Sequence, residues 1–364
     1  MRNGRWVALA AGVLSALIVA ARPVLAAPAT QTATQSQPAR TDLPFELDPS
    51  SYPAGIASRQ DYDEYLAAKL QEMEARLSNV TDPAGRLTAA LELAGFALTQ
   101  MTESDLTRVW LLRRPAARPQ RALRALAIAR RALFEADRLR QRSGTPALDR
   151  QDAARLSRLR TLLAMETVLL DRSDPADALR AAGKADTFLD EVPTAARPAW
   201  DLLVAACLQK AGKRDDALLR VQLVLRQHKG SPSTVAAAVL QSHILADAGS
   251  YAAAIALLSE YLQVLPATVH AETNQRAMTG AVAEGGSATR PAGQAAPCAL
   301  TLLKADFADE WADKLARSTN TLDRQTAASL REQAADWHAQ AEALGPYLFR
   351  LLPVLRTLDA AGDE

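Results

Sequence analysis

The sequence predicts an all-α fold, an α-solenoid of stacked helical hairpins closed by a C-terminal helical cap, and three observations carry that expectation. Residues 199–266 hold two consecutive hairpins of one design, with Gly212 and Gly249 at equivalent breaks 37 residues apart and Ala217 and Ala254 repeating the interval. Elsewhere apolar residues recur at three- and four-residue steps, the period of a helix buried on one face. No segment shows the alternating Val/Ile/Thr pattern of a half-buried strand.

The clearest hairpin is Ser233–Pro266, with helices at Ser233–Asp247 and Tyr251–Leu265. Gly249 permits the tight reversal, Ala254 admits a close helix–helix approach, and Pro266 cannot continue a helix. Leu258, Tyr261 and Leu262 form the inward face. The preceding hairpin runs Ala199–Ala211, Gly212 and Asp215–Gln227, with Ala217, Leu218, Val221, Val224 and Leu225 in matching places and Trp200 early in its first helix. These residues make the stretch resemble the tetratricopeptide repeat, a helix–turn–helix unit of about 34 residues.

That resemblance implies a solenoid whose first helices line a concave, partner-binding groove. Carried onto this chain, the lining is Ala199, Leu202, Ala206, Gln209 and Lys210 in one repeat, and Ala236, Val239, His243, Ala246 and Asp247 in the next. The site expected from the resemblance is therefore Leu202, Ala206, Gln209, Lys210, Val239, His243 and Asp247. It lacks the Lys/Asn pattern with which the family clamps a peptide carboxylate. The expected ligand is an apolar helix or extended segment of another protein.

Taken in order, the chain starts with Arg2 and Arg5, then an apolar run of 15 residues, Val7–Ala21, then Val24-Leu25-Ala26. Those are the three parts of a secretory signal peptide, expected at 1–26 and cleaved after Ala26. Export to the periplasm, or to the outer side of the envelope, follows. Ala27–Ser51 is rich in Thr, Gln, Pro and Ala, so 27–57 is expected to be a disordered tether. The solenoid spans 58–272. Its earlier helices are expected at Asp61–Ser78, at Pro83 to about Gln100, at Asp105–Arg114, at Gln120–Arg142, and at Asp152–Asp171 and Pro175–Glu191, a degenerate repeat hairpin. Residues 273–297, Gly- and Ala-rich without an apolar stripe, are expected to form a flexible linker. Residues 298–364 then make the C-terminal unit: an antiparallel pair, Ala299–Ser318 and Asp323–Leu344, and a short capping helix at Tyr347–Leu358.

Composition excludes more than it assigns. The 42 Lys and Arg against 41 Asp and Glu give no global pull towards nucleic acid. Locally, Arg108–Arg160 holds 15 arginines against four carboxylates. The expectation is internal compensation between complementary helix faces, with arginine stems covering apolar neighbours. Membrane contact beyond the signal segment is not expected. Cys207 and Cys298 permit a disulfide in an exported chain, but the small, buried-looking position of Cys207 favours a free thiol.

Catalytic motifs fail on inspection. His270-Ala271-Glu272 with Pro297-Cys298 imitates half of a zinc-deaminase signature, which needs a second cysteine where Thr301 stands. No nucleophile elbow, phosphate loop or dinucleotide fingerprint is present. Catalytic, cofactor and metal residues are therefore expected to be none. The reading is a non-catalytic adaptor that binds a segment of another envelope protein. The alternative is a helical enzyme or ligand-binding protein with a site between the solenoid and the C-terminal helices.

Overall fold

Proline and aspartate set the helix starts. Pro83 and Pro175 each occupy a first helical turn, where the missing N–H costs nothing. Asp82 Oδ2 accepts from Gly85 N at 2.8 Å and Asp174 Oδ1 from Ala176 N at 2.9 Å, so each aspartate satisfies one orphan donor. In the computed structural model the described residues are 46–47, 56, 59–102, 106, 119–141, 150–170, 174–194, 196–227, 232–263, 295–344 and 347–348. They belong to one unit, 43–364. The expected signal segment, most of the tether, the helix at Asp105–Arg114 and most of the linker lie outside them.

The helices are α1 (Arg59–Asn79), α2 (Pro83–Phe96), α3 (Pro119–Gln141), α4 (Arg150–Leu170), α5 (Pro175–Asp186), α6 (Arg197–Lys210), α7 (Arg214–Gln227) and α8 (Pro232–Asp247). Next come α9 (251–263), α10 (Ala295–Ala316) and α11 (Thr321–Leu344). Each packs on its neighbour in sequence through α8, and α10 pairs along its length with α11. In addition α2 touches α4, α4 touches α6, α6 touches α8, and α8 touches α10. The even-numbered helices thus form one continuous row, with the odd-numbered ones laid against it. This is an all-α, solenoid-like stack.

The two glycine turns are built alike. Gly212 and Gly249 sit at φ of 78° and 81°, the left-handed region that L side chains avoid. Lys213 N donates to Leu208 O, and Ser250 N to Leu245 O, both at 2.9 Å. Gly212 N and Gly249 N donate to Gln209 O and Ala246 O, also at 2.9 Å. Each pair of bonds closes a helix end in a Schellman motif, and it recurs at the interval read from the sequence.

The main core runs from Tyr62 in α1 to Phe307 in α10 and takes in Ala341 of α11. A smaller one, Ala308, Ala312, Ala327, Leu330 and Ala334, lies between α10 and α11. The C-terminal pair is therefore joined to the stack by the first half of α10 and, at Ala341, by the last turn of α11, and it has its own core beyond them.

Two expectations need correcting. Glu46–Leu47, inside the expected tether, pairs in parallel with Tyr347–Leu348, where a capping helix was expected. This two-residue ladder is the one strand pairing among the described residues. Paired backbone groups at both positions replace the helical bonds that Tyr347 and Leu348 would have made. The rest of 349–358 lies outside the described residues.

Candidate functional site

The expected groove begins from α6 and α8, and neither helix has a polar face. In α6 every residue from Pro198 to Leu208 is buried. In α8, Ala236, Val239 and His243 are buried as well. Helices α4, α5, α7 and α8 all pack against α6. A helix that is apolar all round is an interior helix, and Trp200-Asp201-Leu202-Leu203-Val204-Ala205-Ala206-Cys207 has a single charge.

Of the seven expected groove residues, Leu202 (0% exposed), Ala206 (3%), Val239 (2%) and His243 (2%) are therefore interior in this structure. That corrects the expected open, apolar wall. His243 meets the Phe307 ring of α10 edge-on, with centroids 5.5 Å apart, so the repeat stack and the C-terminal pair are joined at this histidine. The remaining three residues stay together at one end. Gln209 Nε2 donates to Asp247 Oδ2 at 2.7 Å, linking the C-terminal ends of α6 and α8. Lys210 Nζ donates to the carbonyl of Val168, one of the last-turn acceptors that α4 cannot satisfy internally. This half-exposed polar rim is what survives of the expected site.

Nearer the N-terminal end of α6, Asp201 and Arg220 form an ionic link that the sequence did not reveal. Arg220 of α7 donates to Asp201 Oδ1 at 2.6 Å and also to Asp186 at the end of α5. One guanidinium thereby ties three consecutive helices. Asp201 is only 7% exposed, so removing Arg220 takes away a charged partner where little solvent can replace it. Arg220→Ala should cost about 2–4 kcal/mol in a urea melt, with the loss partly recovered by the double change Arg220→Ala, Asp201→Asn.

Cys207 is a free, buried thiol. Burial pushes its pKa up to about 12, with nearby Lys210 pulling weakly the other way. Since the thiolate is the reactive form, Cys207 should resist alkylation at neutral pH in the folded protein and react promptly in denaturant. The side chain of Cys298, its possible disulfide partner, lies outside the described side chains.

The second feature that sequence reasoning missed is Glu166. It is fully buried in α4, and neither carboxyl oxygen has a hydrogen-bond partner by distance and angle. Desolvation drives its pKa well up, and the hydroxyl of Thr102 offsets this in part. That hydroxyl also donates to Leu98 O at 2.5 Å, while Thr99 donates to Gly95 O at 2.8 Å. Such back-bonding bends helices. Here α2 ends in a π-helical turn, Ala97–Met101, which packs against α4. The sequence signal was present: Glu166 is the lone charge in the apolar run Leu162–Leu170. A buried carboxyl beside a π-turn is a feature seen at functional sites, but Glu166 stands without a second titratable group described beside it. Among the described residues, no three His, Cys, Asp or Glu side chains gather as a metal set would require.

No protein-family model matches this chain, and neither the curated proteins nor the solved structures yielded a similar one.

Proposed function

We propose that this chain is an exported bacterial adaptor of the tetratricopeptide type, without catalysis of its own, that holds a segment of another cell-envelope protein. The observation that carries the proposal is the pair of matched hairpins, α6–α7 and α8–α9. Their glycine turns share dihedral sign and hydrogen bonds at the repeat interval. A two-layer stack of this kind offers long continuous surfaces, and such surfaces serve recognition in repeat proteins. The partner contact within the repeats is assigned to the polar rim of Gln209, Lys210 and Asp247. The buried apolar residues support that rim from beneath.

Export is the second part of the proposal. It rests on the arginine-led apolar run and on Val24-Leu25-Ala26. The intact mass of the exported protein should correspond to a chain starting at Ala27; a mature form that keeps Arg2 would contradict it. No helix among the described residues is long and apolar enough to cross a membrane.

The adaptor itself is tested by affinity capture from the native envelope with the mature protein as bait. A stoichiometric protein partner, weakened when Gln209 and Asp247 are both changed to Ala, is the expected result. A bait that recovers no protein while binding or converting a small molecule would favour the alternative, a ligand site where His243 meets Phe307.

A further inference from the structure

Helix α3 has one face that no described element covers. Leu123, Ala127, Arg130 and Phe134 are all exposed, and they follow one another at steps of four, three and four residues. That is the spacing of a coiled-coil seam. Leu123 is 48% exposed and Phe134 69%, and the eleven-residue step from one to the other spans about 16 Å of helix. Arg124 and Arg131 flank the seam. Three arginines of α3 are compensated as expected: Arg121 pairs with Asp63, Arg131 with Glu74 at 3.5 Å, and Arg138 with Glu135 at 2.8 Å. Arg124 and Arg130 are different. Neither makes an ion pair or side-chain hydrogen bond among the described residues, and both are exposed.

We propose that this face of α3 is a docking seam for an acidic amphipathic helix of a partner protein. The inference rests on the adaptor reading and names a second contact surface for it, apart from the rim of Gln209, Lys210 and Asp247. Leu123 and Phe134 supply the two apolar anchors. Ala127, small and exposed, lets a partner helix approach closely between them. Arg130 lies inside the seam, where a glutamate opposite would meet it, and Arg124 and Arg131 stand where the flanking charges of a paired helix lie. The position of Arg130 decides between a helix and a lipid surface. A bilayer that took up both Leu123 and Phe134 would also draw in the guanidinium between them, which hydrocarbon disfavours strongly. A carboxylate-bearing helix accepts it.

The test uses the full mature protein and a labelled synthetic peptide of three heptads, with Leu at a and d and Glu at e and g. A second peptide carries Lys in place of each Glu. Fluorescence anisotropy should show binding of the Glu peptide and at least tenfold weaker binding of the Lys peptide. Arg130→Glu combined with Phe134→Ser should weaken the Glu peptide at least tenfold without moving the melting temperature, since both side chains are exposed. Leu219→Ser with Leu223→Ser, on the exposed face of α7, should leave binding unchanged. Equal binding of the two peptides, or an unchanged affinity in the α3 variant, overturns the seam. So does binding to vesicles of phosphatidylglycerol that the α3 variant abolishes while the Glu peptide fails to bind. Envelope capture separates the two readings: a partner retained at full yield by the α3 variant removes the seam and leaves the adaptor, whereas no partner for the wild type removes the adaptor.

Discussion

Replacing Leu202 and Val239 with glutamate should abolish cooperative folding. Leu202 is 0% exposed and Val239 2% exposed, and they sit on α6 and α8, two adjacent helices inside the row. Each substitution removes an aliphatic side chain from a filled interior, at about 2–5 kcal/mol. Each also places a carboxyl where no donor waits, which adds further kilocalories or forces the group to stay protonated. Against a total stability of about 5–15 kcal/mol, the pair is not survivable. Circular dichroism should show a broad, non-cooperative melt or none. A double variant that melted like the wild type but lost its partner would return these residues to an open binding wall. The rim behaves oppositely: Gln209→Ala with Asp247→Ala should move stability by about 1 kcal/mol, since the Gln209–Asp247 hydrogen bond is half-exposed.

Glu166 should make the stability of this protein fall as pH rises. Its folded-state pKa is raised by desolvation, so above the ordinary glutamate value of about 4.3 the unfolded chain has released a proton that the folded chain still holds. Unfolding then releases that proton and is favoured by alkali. The stabilising contribution is complete below the unfolded pKa and is lost as pH climbs towards the raised folded value. Within that window the slope approaches about 1.4 kcal/mol per pH unit for one proton. Glu166→Gln should flatten this component, because the amide is neutral throughout. Glu166→Leu should flatten it and also raise stability at pH 8, because it removes polar atoms that lack partners. Urea midpoints at pH 5, 6.5 and 8 for the three proteins measure this. A wild-type midpoint that rises with pH, with the Gln variant parallel to it, would mean that Glu166 is ionised and partnered in the fold.

Much of the helix pattern was legible because its signals are local. Pro83 and Pro175 marked starts, Gly212 and Gly249 marked reversals, and the described helix ends fall within a few residues of those expected. The site was less legible because repeat matching assigns a face by position and burial is set by composition around the whole helix. Trp200–Leu208 offers no polar side to face water except Asp201, and that residue is held by Arg220 from the next helix. Reading α6 around its circumference would have placed Leu202 inside. The 47-to-348 strand pairing had no comparable signal: two residues at each end carry no period, and their partners are some 300 positions apart. Glu166 had a signal, a lone acid in an apolar run, but its meaning depended on the π-turn of α2 packing beside it.

In this fold α6 and α8 form the interior of the stack, and the proposed recognition belongs to its polar rim and outer helices. Native-state hydrogen exchange measures this most directly. Amides of Leu202–Leu208 and Ala236–Ala246 should exchange only through global unfolding, at the slowest rates in the chain and with the full denaturant dependence. Exchange of these amides through a smaller opening, faster than those of Leu91–Leu98 in α2 and its π-turn, would show that this face opens and would contradict it.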